Sequence, residues 1–372
     1  MTDLTIIGAG MAGLICAQRL TQAGYSVLVL DKSRGLGGRM ATRRLYGTWA
    51  DHGACYLQPQ GELCPNLVQL LCDRQILTEW LDPTQPDCTP RYIAPQGMSA
   101  VAKSLAPGLQ IQLNQRVTAI HPTAENHWCL TLESRETLTA KALVIAIPAP
   151  QTLTLLAPLG AGVLGKDFLE NLSAVEFYPC ISAIAGYSPT SAPLPHWKHQ
   201  KFTDDPVLGW IGLDSSKRPH PQQPVFVLQS SVKFAQQHLE TPDLQPVAPE
   251  ILQQAAQKLA LPWLETPEWM QVHRWRYAFP SRPWSKPVLS ATSNIPLVCC
   301  GDWCGGYLAE DAILSGIAAS EEMNHYCFPF GWVNSESNCD SVYWLLQRCG
   351  FPHFPIGQVL PGYILARKNV RH

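Results

Sequence analysis

No run of eighteen apolar residues occurs in the chain, so no segment reads as a transmembrane helix. An excess of one charge is lacking too. Against 27 Lys and Arg stand 29 Asp and Glu, a formal net charge of −2. No basic field is therefore available to hold nucleic acid or an anionic membrane. Thirteen cysteines are present, yet no CxxC pair is found. Cys299, Cys300 and Cys304 lie close together without the spacing of a zinc site, and no metal is expected. Met1-Thr2-Asp3 runs straight into an apolar segment too short for a secretion signal. Reduced thiols and a cytoplasmic location are the expectation. There is no Ser-His-Asp set and no repeated carboxylate pair, which argues against hydrolysis. Only one GxGxxG occurs, so a second dinucleotide has no Rossmann unit of its own.

With 46% apolar and 15% charged residues, the 372-residue chain reads as globular and large enough for two domains. It is organised around Leu4 to Arg44. An apolar β run, Leu4-Thr5-Ile6-Ile7, meets a turn with glycines at 8, 10 and 13. A helical run over Met11 to Ala23 and a second β run over Ser26 to Leu30 follow, and Asp31 ends it. Strand, glycine turn, helix, strand and acid is the order of a dinucleotide site. Gly8 permits the tight turn, Gly10 lets a pyrophosphate approach the backbone, and Gly13 lets helix and strand pack. The helix N-terminus at Met11 and Ala12 offers N–H groups to phosphate. Asp31 is placed to accept from a ribose hydroxyl, with Lys32 beside it. A second glycine pair, Gly37-Gly38, then leads into Arg39 and Met40. A nicotinamide site has no need of this pair. FAD does, because it lies extended and needs another close backbone approach.

Further along, Leu63 to Leu81 and Met98 to Leu105 have helical spacing, and Asp82 to Ala94 reads as a loop. Short strands are expected at Leu109 to Leu113 and Arg116 to Ile120, with Val117 the candidate to meet the adenine edge. Ala142 to Ile147 is continuously apolar, as a parallel strand buried on both faces should be. Strand candidates Ser182 to Tyr187, Leu208 to Leu213 and Val225 to Ser230 belong to a second region. Helical patterns over Phe234 to Leu239 and Pro249 to Leu261 would cover them. His273 to Ala278 alternates with period two, with His273, Trp275 and Tyr277 on one face and Arg274 and Arg276 on the other. The chain returns through Leu297 to Cys300, Gly301-Asp302 and a small-residue helix from Glu310 to Met323 that includes Asp311 and Ala312. Asp302 would bond a ribityl hydroxyl, and the helix start would face the flavin pyrimidine ring.

The fold expected is α/β with an α+β second domain: a Rossmann-like FAD-binding domain with a βαβ start, and a substrate domain on a mixed or antiparallel sheet with covering helices. Residues 1–150 and 291–325 would form the first and 151–290 the second. Residues 326–372 read as a tail, with one amphipathic helix possible over Ser341 to Cys349.

GGRMATRR resembles the GGR segment of the flavin amine oxidase superfamily. More narrowly, DKSRGLGGRMATRR, followed by Asp51-His52-Gly53-Ala54, resembles the renalase-type oxidoreductases. ALVIAIPAPQ, GWIGLDSSKRP, VLQSSVKFAQQHLE and VHRWRYAFP resemble the same family, so the likeness spans most of residues 4 to 323. It implies FAD as cofactor and a small-molecule substrate that gives a hydride to flavin N5. Off-pathway dihydro isomers of NAD(P) would be oxidised, and O₂ would accept the electrons to give hydrogen peroxide. Trp275, Tyr277, Arg276 and Trp210 are the candidate substrate residues. Arg276 would turn toward a loop carboxylate or the substrate phosphates, and Arg276, then Arg218, are the candidates for those phosphates. Two other readings stand beside this one. An amine oxidase or desaturase would use Trp210, Trp275 and Tyr277 as an aromatic cage. A non-catalytic flavin-binding redox sensor or partner protein would draw on the cysteines and the tail. Cys55 stands where the family pattern has Gln, and Asp311 where it has Gly. Non-covalent FAD is the expectation, with a covalent bond from Cys304 to the flavin as the alternative.

Overall fold

A computed structural model of the chain describes residues 2–59, 64–84, 90–189 and 193–327. The tail beyond position 327, with the helix expected over 341–349, lies outside them. Strand β1 (Thr2–Ile7) leads into α1 (Met11–Gln22) and β2 (Val27–Leu30), and the hairpin β3 (Thr42–Leu45) and β4 (Thr48–Asp51) follows. Next come α2 (Cys64–Asp73), β5 (Thr78–Glu79), β6 (Tyr92–Ile93), α3 (Ser99–Ser104), β7 (Gln110–Gln112), β8 (Val117–Pro122), β9 (Trp128–Leu132) and β10 (Thr137–Ile145). Helices α4 (Ala149–Leu156), α5 (Ala161–Leu164) and α6 (Lys166–Ser173) precede β11 (Glu176–Gly186), β12 (His199–Lys201), β13 (Leu208–Leu213) and β14 (Val225–Ser230). The described chain ends with α7 (Val232–Gln237), α8 (Ala248–Leu259), β15 (Trp269–Arg282), β16 (Leu289–Ser290), β17 (Leu297–Cys299) and α9 (Ala309–Cys327).

The first sheet runs β16-β17-β10-β1-β2-β7, parallel from β17 to β7. Antiparallel β16 closes one edge, and β8 and β9 fold back on β10. Val27 to Leu30 and Ala142 to Ile145 are buried throughout, because helices cover both faces. On one face α1 lies so close to α9 that a Cβ on Gly316 would come 2.5 Å from the Ala12 carbonyl oxygen. On the other, Trp128, Leu143 and Leu297 share a core with Leu156, Leu164, Phe168 and Leu172. Helices α4 to α6 thus belong to the first core. The change of core falls near residue 175, later than the boundary expected at 151.

The second sheet, β12-β13-β14-β11-β15, is antiparallel throughout. One face packs on α7 and α8 through Ile181, Phe226, Leu228, Ile251 and Leu252. The other face presents Ile184, Trp210, Val225 and Val227 to Ala50, Cys55 and Trp80 of the first region. Burial on both faces explains why β11 lacks polar alternation.

Three local features differ from expectation. Helix α2 stops at Asp73, soon followed by Gln75 with φ of 58°, and part of the loop read over 82–94 is strand β6. Arg43 and Arg44 sit on a hairpin, whose two-residue turn is formed by Tyr46 and Gly47 with φ of 45° and 76°. The alternation of β15 breaks where β11 carries Pro179. Cys180 pairs with Trp275 but Tyr178 with Phe279, so one residue of β11 faces three of β15. Proline brings no N–H to the ladder, and a bulge results.

Candidate active site

A continuous cleft of about 2170 Å³ runs from the glycine turn, past Asp31 and the Gly37-Gly38 pair, to β15. At the glycine turn each residue answers a geometric demand. Gly8 has φ of 113°, and a Cβ there would lie 2.5 Å from the Ala146 carbonyl oxygen. Gly13 does not line the cleft; its Cβ would fall 2.0 Å from the Gly8 carbonyl oxygen, so it serves packing. Gly10 differs, because a Cβ would meet nothing within 4 Å. It is the N-cap of α1, makes no side-chain cap bond, and the first turn of α1 holds no acid. Uncapped N–H groups beside open cleft space fit a pyrophosphate. Gly10, Met11 and Ala12 all line it.

Asp31 lines the cleft next to this turn. Its carboxylate accepts from the Ala9 N–H and the Ser33 N–H, each at 2.7 Å, which fixes it at the end of β2. Lys32 also lines the cleft and donates to Gln151 Oε1 at 3.3 Å. Gly37 donates its N–H to the Ala9 carbonyl, bringing the second glycine pair over the first turn. Gly38 lines the cleft, with buried Met40 beyond it. Arg39 joins distant parts of the chain. Its guanidinium donates to both carboxylate oxygens of Asp302, at 2.7 and 2.5 Å, and to the Ala278 carbonyl at 3.1 Å. That carbonyl is in the β15 bulge. The backbone of Arg39 also accepts from the Ala54 N–H at 2.9 Å. A Cβ on Gly53 would sit 1.9 Å from the Arg39 carbonyl oxygen, so the Asp51-His52-Gly53-Ala54 segment requires its glycine.

Gly301 and Asp302 line the cleft from beyond β17, and the Asp302 residue is 6% exposed. Asp302 is not an N-cap, since α9 begins at Ala309. Ala312 lines the cleft from the first turns of α9. Asp311 does not. Its Oδ2 accepts from the Tyr307 and Leu308 N–H groups at 2.8 and 2.7 Å, so it closes the turn before the helix instead of facing a cofactor. Val117 lines the cleft at the start of β8. Cys304 is buried in the first core away from the lining, where burial raises its thiol pKa well above the ordinary range. Cys55 is likewise buried, with its thiol donating to the Asp51 carbonyl at 3.1 Å.

The end of the cleft at β15 is aromatic. Trp275 Nε1 donates to the His52 carbonyl at 2.8 Å, and Ser182 Oγ donates to the same oxygen at 2.8 Å. The His52 ring meets His273 edge-on at 4.8 Å and Trp275 at 5.3 Å, and His273 lies 4.3 Å from Trp275. Burial, the neighbouring His273 and the Arg43 charge bring His52 down to about 3, opposed by Asp51 and the Ala50 carbonyl. Burial and Arg43 bring His273 to about 4. Both imidazoles are neutral at pH 7. Sequence reasoning placed His273 beside Trp275 on one strand face but missed the pair, because His52 lies on a distant loop.

Tyr277 lines the cleft from the bulge and packs edge-on against Phe177 at 5.8 Å. Trp210 lines it too, 6% exposed, against Tyr56 and His199. Arg276 is at the rim, with both terminal nitrogens on Glu240 at 2.5 and 3.0 Å. Arg218 does not reach the cleft mouth. It is 7% exposed in a closed cluster with Asp51, Asp214 and Lys217, at 2.9 and 2.6 Å from the two carboxylates. This cluster ties β4 to the segment after β13, and so anchors the backbone that carries His52.

Among the lining residues of the β3–β4 hairpin and of the second sheet with its flanking segments, cations outnumber carboxylates. Arg43, Arg44, Lys201, Lys233 and Arg274 stand against Asp204 and Asp205, while Arg276 is already paired with Glu240. Asp205 is already engaged by the Val207 and Leu208 N–H groups and by Gln254.

Comparison with known proteins agrees with this geometry. Putrescine oxidase bound to putrescine superposes with a TM-score of 0.64 at 15% identity, covering 87% of this chain and 99% of that one, a likeness of fold. The L-amino acid dehydrogenase of Synechocystis sp. is 43% identical over 58 residues, 15% of this chain and 12% of that protein. Protein anon-37Cs of Drosophila lebanonensis is 33% identical over 98 residues, 26% of this chain and 18% of that protein. These matches thus span less than a fifth of either curated relative. Residues 6–71 match the NAD(P)-binding Rossmann-like domain, and residues 81–324 match the flavin containing amine oxidoreductase family. A match over that much of the chain, running from the loop after β5 into α9, makes the protein a member of the flavin-containing amine oxidoreductase family, with FAD as its cofactor.

Proposed function

We propose that the protein is an FAD-dependent oxidase of renalase type, taking a hydride from a flat, anionic donor, a dihydro isomer of NAD(P). The observation that carries this reading is the excess of cations over free carboxylates on the substrate side of the cleft. An amine cation would be repelled there, whereas the phosphates of a nicotinamide nucleotide are attracted. When bound, FAD would supply a hydride acceptor at N5, with O₂ as the oxidant that yields hydrogen peroxide. The chain supplies binding and orientation. Trp275, fixed by its bond to the His52 carbonyl, offers a rigid flat wall. Neutral His52 and His273 can donate or accept hydrogen bonds without adding charge. A dihydropyridine ring loses its hydride without prior deprotonation, so no strong base is required, and two imidazoles this weakly basic do not offer one. The Arg39–Asp302 pair holds the two halves of the cofactor domain against β15.

Anaerobic mixing of the holoenzyme with dihydronicotinamide isomers, NADH, putrescine and L-amino acids tests the reading. Loss of flavin absorbance with the isomers, and equimolar peroxide on aeration, is the expected result. Reduction by the amines and not by the isomers would overturn it in favour of an amine oxidase.

A further inference from the structure

The cleft arginines differ in what already holds them. Arg39 is held by Asp302 and the Ala278 carbonyl, and Arg276 by Glu240. Arg274 donates to the Thr241 carbonyl, and Arg44 is exposed to solvent. Arg43 is half-buried and has no carboxylate partner among the described residues. One nitrogen donates to the amide oxygen of Gln271 at 3.1 Å. Its other guanidinium N–H groups are uncommitted, out of five donors in a fixed fork. Gln271 lies on β15 four residues before Trp275, so this bond aims the guanidinium from β3 toward the aromatic end. Arg43 lines the same cleft as His52, His273 and Trp275, and its charge is felt at both imidazoles. A half-buried cation that faces two uncharged rings instead of an acid is incompletely compensated.

We infer that Arg43 forms an oxyanion subsite at the substrate end of the cleft, binding a phosphate or carboxylate group of the substrate. Its planar fork suits either group, and Gln271 leaves that fork free on the cleft side. The hairpin and its Tyr46-Gly47 turn place the subsite, and the buried cluster around Asp51 holds the hairpin in register with the second sheet. The inference rests on the reading above only in taking the aromatic end as the substrate end. Arg276, the residue favoured from sequence, already has its carboxylate and becomes the control.

Titration calorimetry on the holoenzyme tests it with two matched pairs: nicotinamide mononucleotide against nicotinamide riboside, and nicotinate against nicotinamide. The first pair isolates a phosphate source of the oxyanion and the second a carboxylate. Wild type should bind the member that carries the anionic group, in at least one pair, tighter by roughly tenfold or more. R43Q should lose that preference, R43K should keep part of it, and R276Q should keep it whole. Flavin content and thermal midpoint check the fold of each variant. If R43Q does not fold, R43K and competition by inorganic phosphate on wild type carry the test, with weakened preference and displacement expected. Equal affinities within both pairs in wild type overturn the inference, as does a preference that survives in R43Q or disappears in R276Q. Should the isomers fail to reduce the flavin while the Arg43-dependent preference holds, the substrate is another anionic donor. Should they reduce it with no dependence of binding on Arg43, this subsite alone falls.

Discussion

Asp214→Ala perturbs the cluster that locks the cofactor domain onto the second sheet. Asp51 and Asp214 face Lys217 and Arg218 with side chains 0 to 4% exposed. Lys217 Nζ lies 2.6 Å from Asp214 and 3.4 Å from Asp51, and Arg218 donates to both carboxylates. Burial alone would raise the Asp51 carboxyl pKa, but Lys217 and Arg218 hold it below the usual carboxylate range. Burial would likewise lower Lys217, and Asp214 and Asp51 hold it above its ordinary value. Both responses describe two buried cations neutralised by two buried anions. Removing Asp214 leaves both cations with one carboxylate, and breaking a buried pair in this way costs about 3–5 kcal/mol. At roughly 2–4 °C per kcal/mol the thermal midpoint should fall by about 6–20 °C. Asp214 Oδ1 also accepts from the Asp51 N–H at 3.3 Å, so the His52 segment should loosen as well. Flavin release on heating, followed by flavin fluorescence, should then come before or with unfolding followed by circular dichroism. The double variant D214A/K217M removes one charge of each sign and should recover part of the loss. A midpoint for D214A within about 1 °C of wild type would refute the argument, because it would mean that the remaining charges are solvated and the cluster is not closed.

Asp31→Arg should weaken FAD retention by about tenfold or more, since the carboxylate that braces the glycine turn is lost and a cation replaces it; gel filtration followed by the flavin-to-protein ratio reads this. Full flavin content with an altered preference between NADH and NADPH would instead mean that the first motif does not hold FAD. Acid precipitation should leave a colourless pellet, because Cys304 is buried off the cleft; yellow colour in the pellet would contradict non-covalent binding. Stability should fall as pH drops from 6.5 toward 4. His52 is depressed from 6.5 to about 3 by burial and nearby charge, so in that window the unfolded state binds more protons than the folded one. The contribution is fully present above pH 6.5 and smaller by about 2 kcal/mol at pH 5, and denaturant titrations of wild type and H52F should differ in this slope.

The cofactor half of the cleft was legible in the sequence because its requirements are local. Gly8 and Gly13 would place a Cβ against backbone within a few residues of the turn or on the adjacent strand, and Gly10 must leave space for a ligand, so three glycines in one window carry the geometry. The continuous apolar run of β10 announced a strand buried on both faces for the same reason. The substrate half was less legible because its determinants are pairings across the chain. His52 and His273 form one cluster from positions 221 residues apart, and neither has a local pattern that names the other. The four charges at 51, 214, 217 and 218 have no local pattern that pairs Asp51 with the other three; only the tertiary fold shows them closed against each other. Pro179 is visible in the sequence, but its consequence falls on the partner strand, where the bulge offers the Ala278 carbonyl to Arg39. That bulge also limits what period-two alternation can say. The rule holds for His273 and Trp275 and then ends, so Tyr277 reaches the cleft through the bulge and packs on Phe177. The arginines followed the same logic. Arg276 and Arg218 were chosen by strand face and composition, but which cation is free depends on where each carboxylate lies. Glu240 takes Arg276, Asp51 and Asp214 take Arg218, and Asp302 takes Arg39. Arg43 is left with an amide, and a cation left with an amide beside a flat hydrophobic wall is the position at which an anionic substrate gains most and an amine gains nothing.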